Sequence, residues 1–362
     1  MNILEVSFLH PKDSKAGGVE RFVNDLSEFL KPYYDISVAY CTTDKKESGA
    51  TVNGVAYIPV YVCRFYPFRK YIYNLKLLRL TKTKHYHLVH INGDNGGMLA
   101  GYSSKVRSIT TLHGNSMVSY NAVRGKIKNY LKIYRYLTSK ISYYLEKRAV
   151  KKSDIVTAVS RSTADSFKTF GIDIRVIYNF SDFFHNIEDK TTVRNMLGLC
   201  QGTVYAIWVG GDPIRKGLNI AIDSISKTKF MKLIVCGVSG KNSERILYYG
   251  KVSDSQLIHL LNAADIFLFP SSYDAFSIAI LEALQIGLTV IIGKNIGNAE
   301  ILEGFGYVVE QDKDFSSVLI DIEPGRKRIF DRKVVSENFS RLSRQNIGRE
   351  YLDLINEILN HF

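Results

Sequence analysis

Two carboxylates stand eight residues apart in the stretch Pro270-Ser271-Ser272-Tyr273-Asp274-Ala275-Phe276-Ser277-Ile278-Ala279-Ile280-Leu281-Glu282. The run before it, Asp265-Ile266-Phe267-Leu268-Phe269, reads as a buried strand that Pro270 ends. A short loop then feeds a helix whose first amides fall near Phe276 and Ser277. Such amides, at the positive end of the helix dipole, attract an anion. At helical rise, eight residues span about 12 Å, which leaves room for a sugar at Asp274, a ribose at Glu282 and a diphosphate between. The spacing also fits a plainer reading, with Asp274 as an N-cap and Glu282 as a solvated helix residue. Spacing alone does not choose.

A second constellation is Val209-Gly210-Gly211-Asp212-Pro213-Ile214-Arg215-Lys216-Gly217. It follows a strand pattern and precedes a helix pattern, where a glycine-rich turn lets backbone approach a pyrophosphate. Lys216 and Arg215 supply charge for a departing phosphate, a term that is often the largest in catalysis. The alternative is a tight turn with a solvated basic pair. A third is Gly17-Gly18-Val19-Glu20-Arg21, whose glycines permit close approach of a ligand or simply close a loop. His113 follows the strand pattern Ile109-Thr110-Thr111-Leu112 and precedes Gly114, so it stands at a strand C-terminus, where a neutral imidazole can position a reacting group. His90 reads as structural. No cluster of His, Cys, Asp and Glu has the spacing of a metal site.

The elements that position these residues alternate short β-branched runs with amphipathic stretches, the pattern of βαβ units and parallel sheets. Strand patterns fall at 3–8, 36–40, 88–91, 108–111, 155–159 and 175–177, then at 204–209, 232–236, 266–269, 289–292 and 306–309. Helix patterns fall at 19–30, 126–151, 163–170, 218–225, 255–262, 278–285 and 345–359. Two such series in tandem predict two doubly wound domains with ligands beyond the strand C-termini. The polar, weakly periodic segment 179–195 reads as the boundary, dividing the chain into 1–180, 181–344 and a closing helix 345–362 that packs back on the first domain.

On these residues the chain resembles glycosyltransferase family 4, the retaining group 1 enzymes of the GT-B fold. The stretch 274–282 is similar to the family's E-x7-E motif with Asp in the first position, and Ala275-Phe276-Ser277 stands where Gly-Phe-Gly is usual. The segment 209–217 resembles the family's Gly-Arg-x(n)-Lys-Gly, with Gly211 in place of the early arginine. Tyr249-Gly250-Lys251-Val252 resembles the turn lining the nucleobase pocket, and Val176-Ile177-Tyr178-Asn179 the interdomain segment. The resemblance implies two Rossmann-like domains facing across a cleft and a nucleotide-sugar donor such as a UDP- or GDP-sugar. By the same resemblance, Glu282 holds the ribose. Lys216 holds the diphosphate with Arg215, and Asp274, Phe276, Ser277 and His113 meet the donor sugar. Gly17 and Gly18 lie near phosphate and acceptor, and Val252 lines the base. It further implies metal independence and front-face transfer assisted by the leaving phosphate. A GT-B epimerase and a non-enzymatic lipid- or nucleic-acid-binding protein are the rival expectations.

Bulk properties narrow the partners. The 362 residues carry a net charge of +13. Seven Lys/Arg and no acid occupy 64–84, interleaved with Phe65, Tyr66, Phe68, Tyr71 and Tyr73. Twelve Lys/Arg face one acid, Glu146, across 105–152. Basic and aromatic residues together suit an anionic membrane surface carrying a polyprenyl- or lipid-linked saccharide acceptor. No nucleic-acid recognition motif accompanies them. Four scattered cysteines, a first segment with an early Glu5 and no basic run, and no long apolar stretch fit a cytoplasmic protein peripheral to the membrane. The glycan expected is a bacterial surface polymer such as lipopolysaccharide, capsule or exopolysaccharide.

Overall fold

Strands such as Tyr205-Ala-Ile-Trp-Val and Ile266-Phe-Leu-Phe carry apolar side chains on both faces, so each must be covered on both sides, as in a parallel sheet wrapped by helices. The computed structural model, which describes residues 1–10, 13, 16–64, 69–126, 129–310, 314–322 and 329–360, builds two such sheets. The chain divides into two units, Met1–Asn179 with Arg344–Phe362, and Phe180–Ser343.

In the first unit, β1 (Asn2–Val6), α1 (Gly18–Leu30) and β2 (Asp35–Thr42) are followed by β3 (Ala50–Val52) and β4 (Val55–Tyr61). Next come α2 (Arg69–Thr83), β5 (Leu88–Asn92), β6 (Arg107–Leu112), α3 (Ser116–Val123) and α4 (Asn129–Lys152). β7 (Ile155–Ala158), α5 (Arg161–Asp165) and β8 (Arg175–Val176) close the series. The sheet order is β3-β4-β2-β1-β5-β6-β7-β8, parallel except for the β3–β4 hairpin. That hairpin turns at Asn53-Gly54, both with positive φ, the two-residue turn whose twist matches paired strands.

The second unit contains α6 (Lys190–Leu197), β9 (Tyr205–Val209), α7 (Leu218–Ser226), β10 (Lys232–Cys236), β11 (Ile246–Gly250) and α8 (Asp254–Ala263). β12 (Ile266–Phe269), α9 (Ile278–Ile286), β13 (Thr289–Gly293), β14 (Gly306–Val309), α10 (Phe315–Ile322) and α11 (Arg332–Phe339) complete it. Its six strands are all parallel in the order β11-β10-β9-β12-β13-β14. Chain direction along the sheet reverses between β9 and β12, and a doubly wound sheet binds ligands beyond the strand ends at that point.

Several expectations shift. The units divide after Asn179, at the start of the polar segment 179–195, and the later part of that segment is not linker but the start of α6, capped by the Asp189 carboxylate on the Thr192 amide. The helix expected at 163–170 is instead α5 followed by a short 3-10 turn at Lys168–Phe170. Tyr249 and Gly250, read as a turn, end β11. Of the helix expected from 126, residues 127 and 128 lie outside the described residues, and α4 begins at Asn129.

The chain returns to the first unit as α12 (Arg344–Asn360), which packs along α1. Gly348 accommodates the Phe29 ring, where a Cβ would collide with it. Arg175 pairs bidentately with Glu357 at 2.6 and 2.7 Å, and Tyr34 donates to Asn356 at 2.6 Å. Tyr351, fully buried, stacks near Phe22 and His90 and meets the Thr111 hydroxyl at 3.2 Å. Thr111 keeps His90 and Thr157 as further partners, so the ring rather than the hydroxyl carries the anchor. Chemical denaturation should therefore show Tyr351→Ala costing about 3–5 kcal/mol and Tyr351→Phe about 1 kcal/mol or less. Equal losses would place the anchor in the hydroxyl instead.

Candidate functional site

The loops after β9 and β12 leave adjacent strands at the reversal point, and one side chain staples them together. Arg215 lies on the first loop, fixed by its own amide to the Asp212 carboxylate at 3.1 Å. Its guanidinium crosses to the second loop, donating to the Tyr273 carbonyl at 3.1 Å and the Asp274 carboxylate at 3.3 Å. The Arg215 carbonyl in turn accepts from the Ser271 hydroxyl and the Ser272 amide, both at 3.0 Å. Arg215 is thus committed to Asp212 and Asp274 rather than held out as a second phosphate cation.

Lys216 is set differently. Its carbonyl accepts from the indole of Trp208, and its ammonium sits 5.2 Å from the centre of the Phe269 ring. Two glycines make the room. A Cβ on Gly210 would collide with the Lys216 stem, and Gly217, at φ +70°, lies so close to the Pro270 carbonyl that any side chain would clash. Burial lowers the pKa of the Lys216 ammonium below the ordinary lysine range, with Arg215 adding to the effect. The carboxylates of Asp274, Glu282 and Asp212 oppose that shift. Lysine and both acids of the 274–282 motif therefore share one electrostatic neighbourhood, in low dielectric, at the end of the sheet.

The acids differ from the plain reading of their spacing. Glu282 is 2% exposed and so is not a solvated helix residue. Asp274 is not the helix cap: α9 starts at Ile278 with Ser277 in the N-cap position. The helical rise thus applies only from residue 278, and the full 12 Å estimate does not. Asp274 lies in an extended bridge with Ile296, its carbonyl accepting from Gly297 at 2.9 Å. Among the described residues, Arg215 engages only its Oδ2.

The amide of Ser277, expected to face an anion, is given to the Oδ1 of Asn298 at 2.7 Å, while Asn298 returns a bond to the Ser277 carbonyl at 3.2 Å. Asn298 is fully buried and shapes the 274–277 loop from the turn after β13. The sequence reading missed it; the one signal available was Gly297-Asn298 following a strand. Phe276 is buried beside it. Val252 stands two residues past β11, at the same sheet end. Its loop belongs to a laced series, with Gly210 donating to Cys236 at 3.0 Å and Gly237 to Gly250 at 2.7 Å.

The remaining residues lie on the first unit. Gly17 and Gly18 are exposed at the start of α1, and the Gly17 amide is taken by the Glu20 carboxylate at 2.9 Å. Gly17 has an extended φ of −112°, so no glycine-only conformation is required there. His113 meets Asn92 Oδ1 through Nε2 at 3.0 Å and the Phe22 ring at 4.8 Å. Asn92 gives its amide hydrogens to Glu5 and the Val6 carbonyl, so its oxygen is the acceptor and His113 carries its proton on Nε2. That leaves Nδ1 as the basic nitrogen. Burial, with His90 alongside, lowers the His113 pKa to about 3, so the ring is neutral at physiological pH. His90 is buried between Glu5 at 2.9 Å and Thr111 at 2.7 Å, a structural role. Among the described residues no group of three His, Cys, Asp or Glu side chains is arranged to hold a metal ion.

Residues 16–183 match the family model for Glycosyltransferase Family 4, and residues 189–328 that for Glycosyl transferases group 1. A curated relative, the putative teichuronic acid biosynthesis glycosyltransferase TuaC of Bacillus subtilis, is 28% identical over 226 residues, 59% of this chain and 54% of that protein. The chain spans about half the length of the curated relatives it matches first. Among solved structures, a sucrose-phosphate synthase of Thermosynechococcus elongatus superposes with a TM-score of 0.82 at 16% identity, covering all of both chains. Anabaena Alr3699/HepE, solved with UDP and glucose, superposes at 0.71 with 16% identity, covering 99% of this chain and 100% of that one. The two family models meet near the division between the units, and the fold on each side is Rossmann-like. The chain belongs to the group 1 glycosyltransferases of the GT-B fold, with a family 4 N-terminal half.

Proposed function

We propose that the chain transfers a sugar from a nucleoside-diphosphate donor, a UDP- or GDP-sugar, to a saccharide or lipid-linked acceptor, with retention at the anomeric carbon. The observation that carries this reading is the Arg215 staple. It brings Lys216, Asp274 and Glu282 into one low-dielectric neighbourhood at the reversal point of the second sheet. In this reading Glu282 accepts from ribose hydroxyls, Lys216 neutralises the diphosphate, and Asp274 orients the sugar. The C1–O bond to phosphate breaks as the acceptor oxygen bonds to C1 on the same face. The acceptor proton passes to the departing phosphate oxygen, so no enzymic nucleophile is needed. Lys216 supplies the charge stabilisation that a metal would otherwise give, and activity should persist in a chelator. The first unit contributes the acceptor side and the neutral ring of His113. The similarity to TuaC, named for teichuronic acid, favours assembly of a bacterial surface glycan at the inner face of the cell membrane.

A thermal-shift screen against UDP, GDP and ADP tests the donor site, because a ligand that binds only the folded chain raises the melting temperature by mass action. One nucleotide should give a clear shift, and Glu282→Ala should weaken its affinity by about tenfold or more. An unchanged affinity in that variant would sink the ribose assignment. Release of nucleotide only when acceptor is present separates transfer from epimerisation.

Two pH effects follow. Lys216 is charged below its lowered pKa, so affinity for the nucleotide should fall as pH rises, beginning at lower pH than the ordinary lysine value of about 10.4 allows. Titration calorimetry across alkaline pH should show this limb, absent in Lys216→Met. His113 has the opposite window. Between about 3 and its ordinary 6.5 the unfolded chain binds a proton there that the folded chain refuses. Its contribution to stability is therefore complete above 6.5 and is lost as pH falls towards 3. Melting temperatures of His113→Gln should decline less steeply with acid than those of the parent.

A further inference from the structure

The two basic runs of the first unit have different fates. On α2, Lys70 is paired with Asp94, and Lys76 donates to the Tyr61 carbonyl at 2.7 Å. Tyr73, one of the aromatics interleaved with that run, is fully buried and donates to the carbonyls of Ser7 and Ala39. Phe65, Tyr66 and Phe68 lie outside the described residues. Lys70, Tyr73 and Lys76 thus hold the unit together, while Arg64, Arg79, Lys82 and Lys84 are exposed.

Helix α4 is arranged the other way. Its inward face is Ser142, Leu145, Glu146, Ala149 and Val150. At 3.6 residues per turn, Ile133, Tyr136, Leu137, Lys140, Tyr144 and Lys147 line the face about 180° away, in one stripe about 21 Å long. Ile133 is 71% exposed, Tyr144 53% and Leu137 47%. Two residues of the stripe also pack on their own unit, the Tyr136 ring 5.6 Å from that of Tyr120 on α3 and the Lys147 ammonium 5.7 Å from the centre of the Phe170 ring. Scattered exposed apolar residues are ordinary, but the contiguous outward row of Ile133, Leu137, Lys140 and Tyr144 marks an interaction surface. The helix holds a single acid, Glu146, and its carboxylate turns inward to the Ser116 amide and hydroxyl. The outward surface of α4 is therefore free of negative charge. Its apolar groups gather towards one end and its lysines towards the other, with the Lys140 ammonium 5.4 Å from the Tyr136 ring.

We propose that this stripe of α4 is the surface by which the chain lies on an anionic lipid bilayer. Ile133, Leu137 and Tyr144 enter the boundary between headgroups and acyl chains, and Lys140 and Lys147 sit on lipid phosphates. Bare aliphatic groups beside tyrosines and lysines fit that boundary, where the rings have one apolar and one wet side. A nucleic-acid backbone would satisfy the lysines and leave Ile133 and Leu137 against water. This assignment rests on the reading that the acceptor is held in lipid, and it names the face of the first unit that meets it.

Co-sedimentation of the full chain with vesicles of phosphatidylcholine, alone or mixed with phosphatidylglycerol, tests the assignment. A parallel titration with a short DNA duplex tests the rival partner. The parent chain should sediment with the mixed vesicles. Ile133→Asp with Leu137→Asp, and Lys140→Glu with Lys147→Glu, should each reduce that partition by on the order of tenfold or more. Melting temperature should stay near the parent value in both, because the substituted side chains are exposed, and so should the nucleotide-induced shift, because none of them belongs to the loops after β9 and β12. Undiminished vesicle binding in either double variant overturns the assignment, as does loss of DNA binding while vesicle binding persists. A parent chain that binds mixed vesicles through the stripe yet shows no shift with any nucleotide would remove the transfer reading and leave the surface standing.

Discussion

The second unit depends on a charge reaching across a gap. In a doubly wound sheet the reversal between β9 and β12 leaves two loops side by side with no strand hydrogen bonds to register them. Arg215 supplies the register, with its guanidinium on the far loop and its backbone carbonyl accepting from the same loop's serine. The ammonium of the next residue, Lys216, is not needed for that register. Its stem threads past Gly210, and it is left in low dielectric, where under the proposed reaction a diphosphate would gain most from it.

The first unit solves a related problem with a chain of buried side-chain hydrogen bonds. Glu5, His90, Thr111, Thr157 and Tyr351 form a buried polar chain across four strands and α12, and Asn92 extends it to His113. Each polar group has partners, which is the condition under which such a network orders a core rather than weakening it. The histidine at its open end inherits its tautomer from the far end: Glu5 orients Asn92, and Asn92 fixes the proton on His113. Burial that keeps the ring neutral also keeps it from answering pH in the ordinary histidine range.

Most strands of both sheets were legible because parallel strands buried on two faces appear as short apolar runs bounded by polar turns, as at 232–236 and 289–293. What escaped was whatever lacked that contrast. α2 mixes basic and aromatic residues with no clear period, and α6 is polar except for its buried Val193 face. β11 is half-exposed along its length at the sheet edge, so its tyrosines gave no buried signal. The β3–β4 hairpin did carry a signal, Asn53-Gly54 between Val52 and Val55, and it went unread. At the site, residue types and spacing pointed to Lys216, Asp274 and Glu282, but not to what they touch. Asn298 acts on a residue 21 positions earlier, and Arg215 on one 59 positions later, contacts that exist only once the strands are adjacent.

Two departures from the family pattern become one in this light. The early arginine of the phosphate loop is missing, with Gly211 in its place, and the first acid of the motif is Asp274 rather than Glu. A side chain shorter by one methylene draws its carboxylate back by about 1.5 Å. The guanidinium of Arg215 arrives at that carboxylate from the opposite loop, four residues later than the family's arginine stands. Arginine and aspartate therefore compensate each other in reach and in charge. The pair also orients the acid before any ligand binds: Oδ2 is held by Arg215, and among the described residues Oδ1 has no bond. A carboxylate pinned through one oxygen presents the other in a fixed direction, so a sugar hydroxyl that meets it need not order the side chain as well. Substituting Glu at 274 alone would lengthen the acid against an arginine already in place.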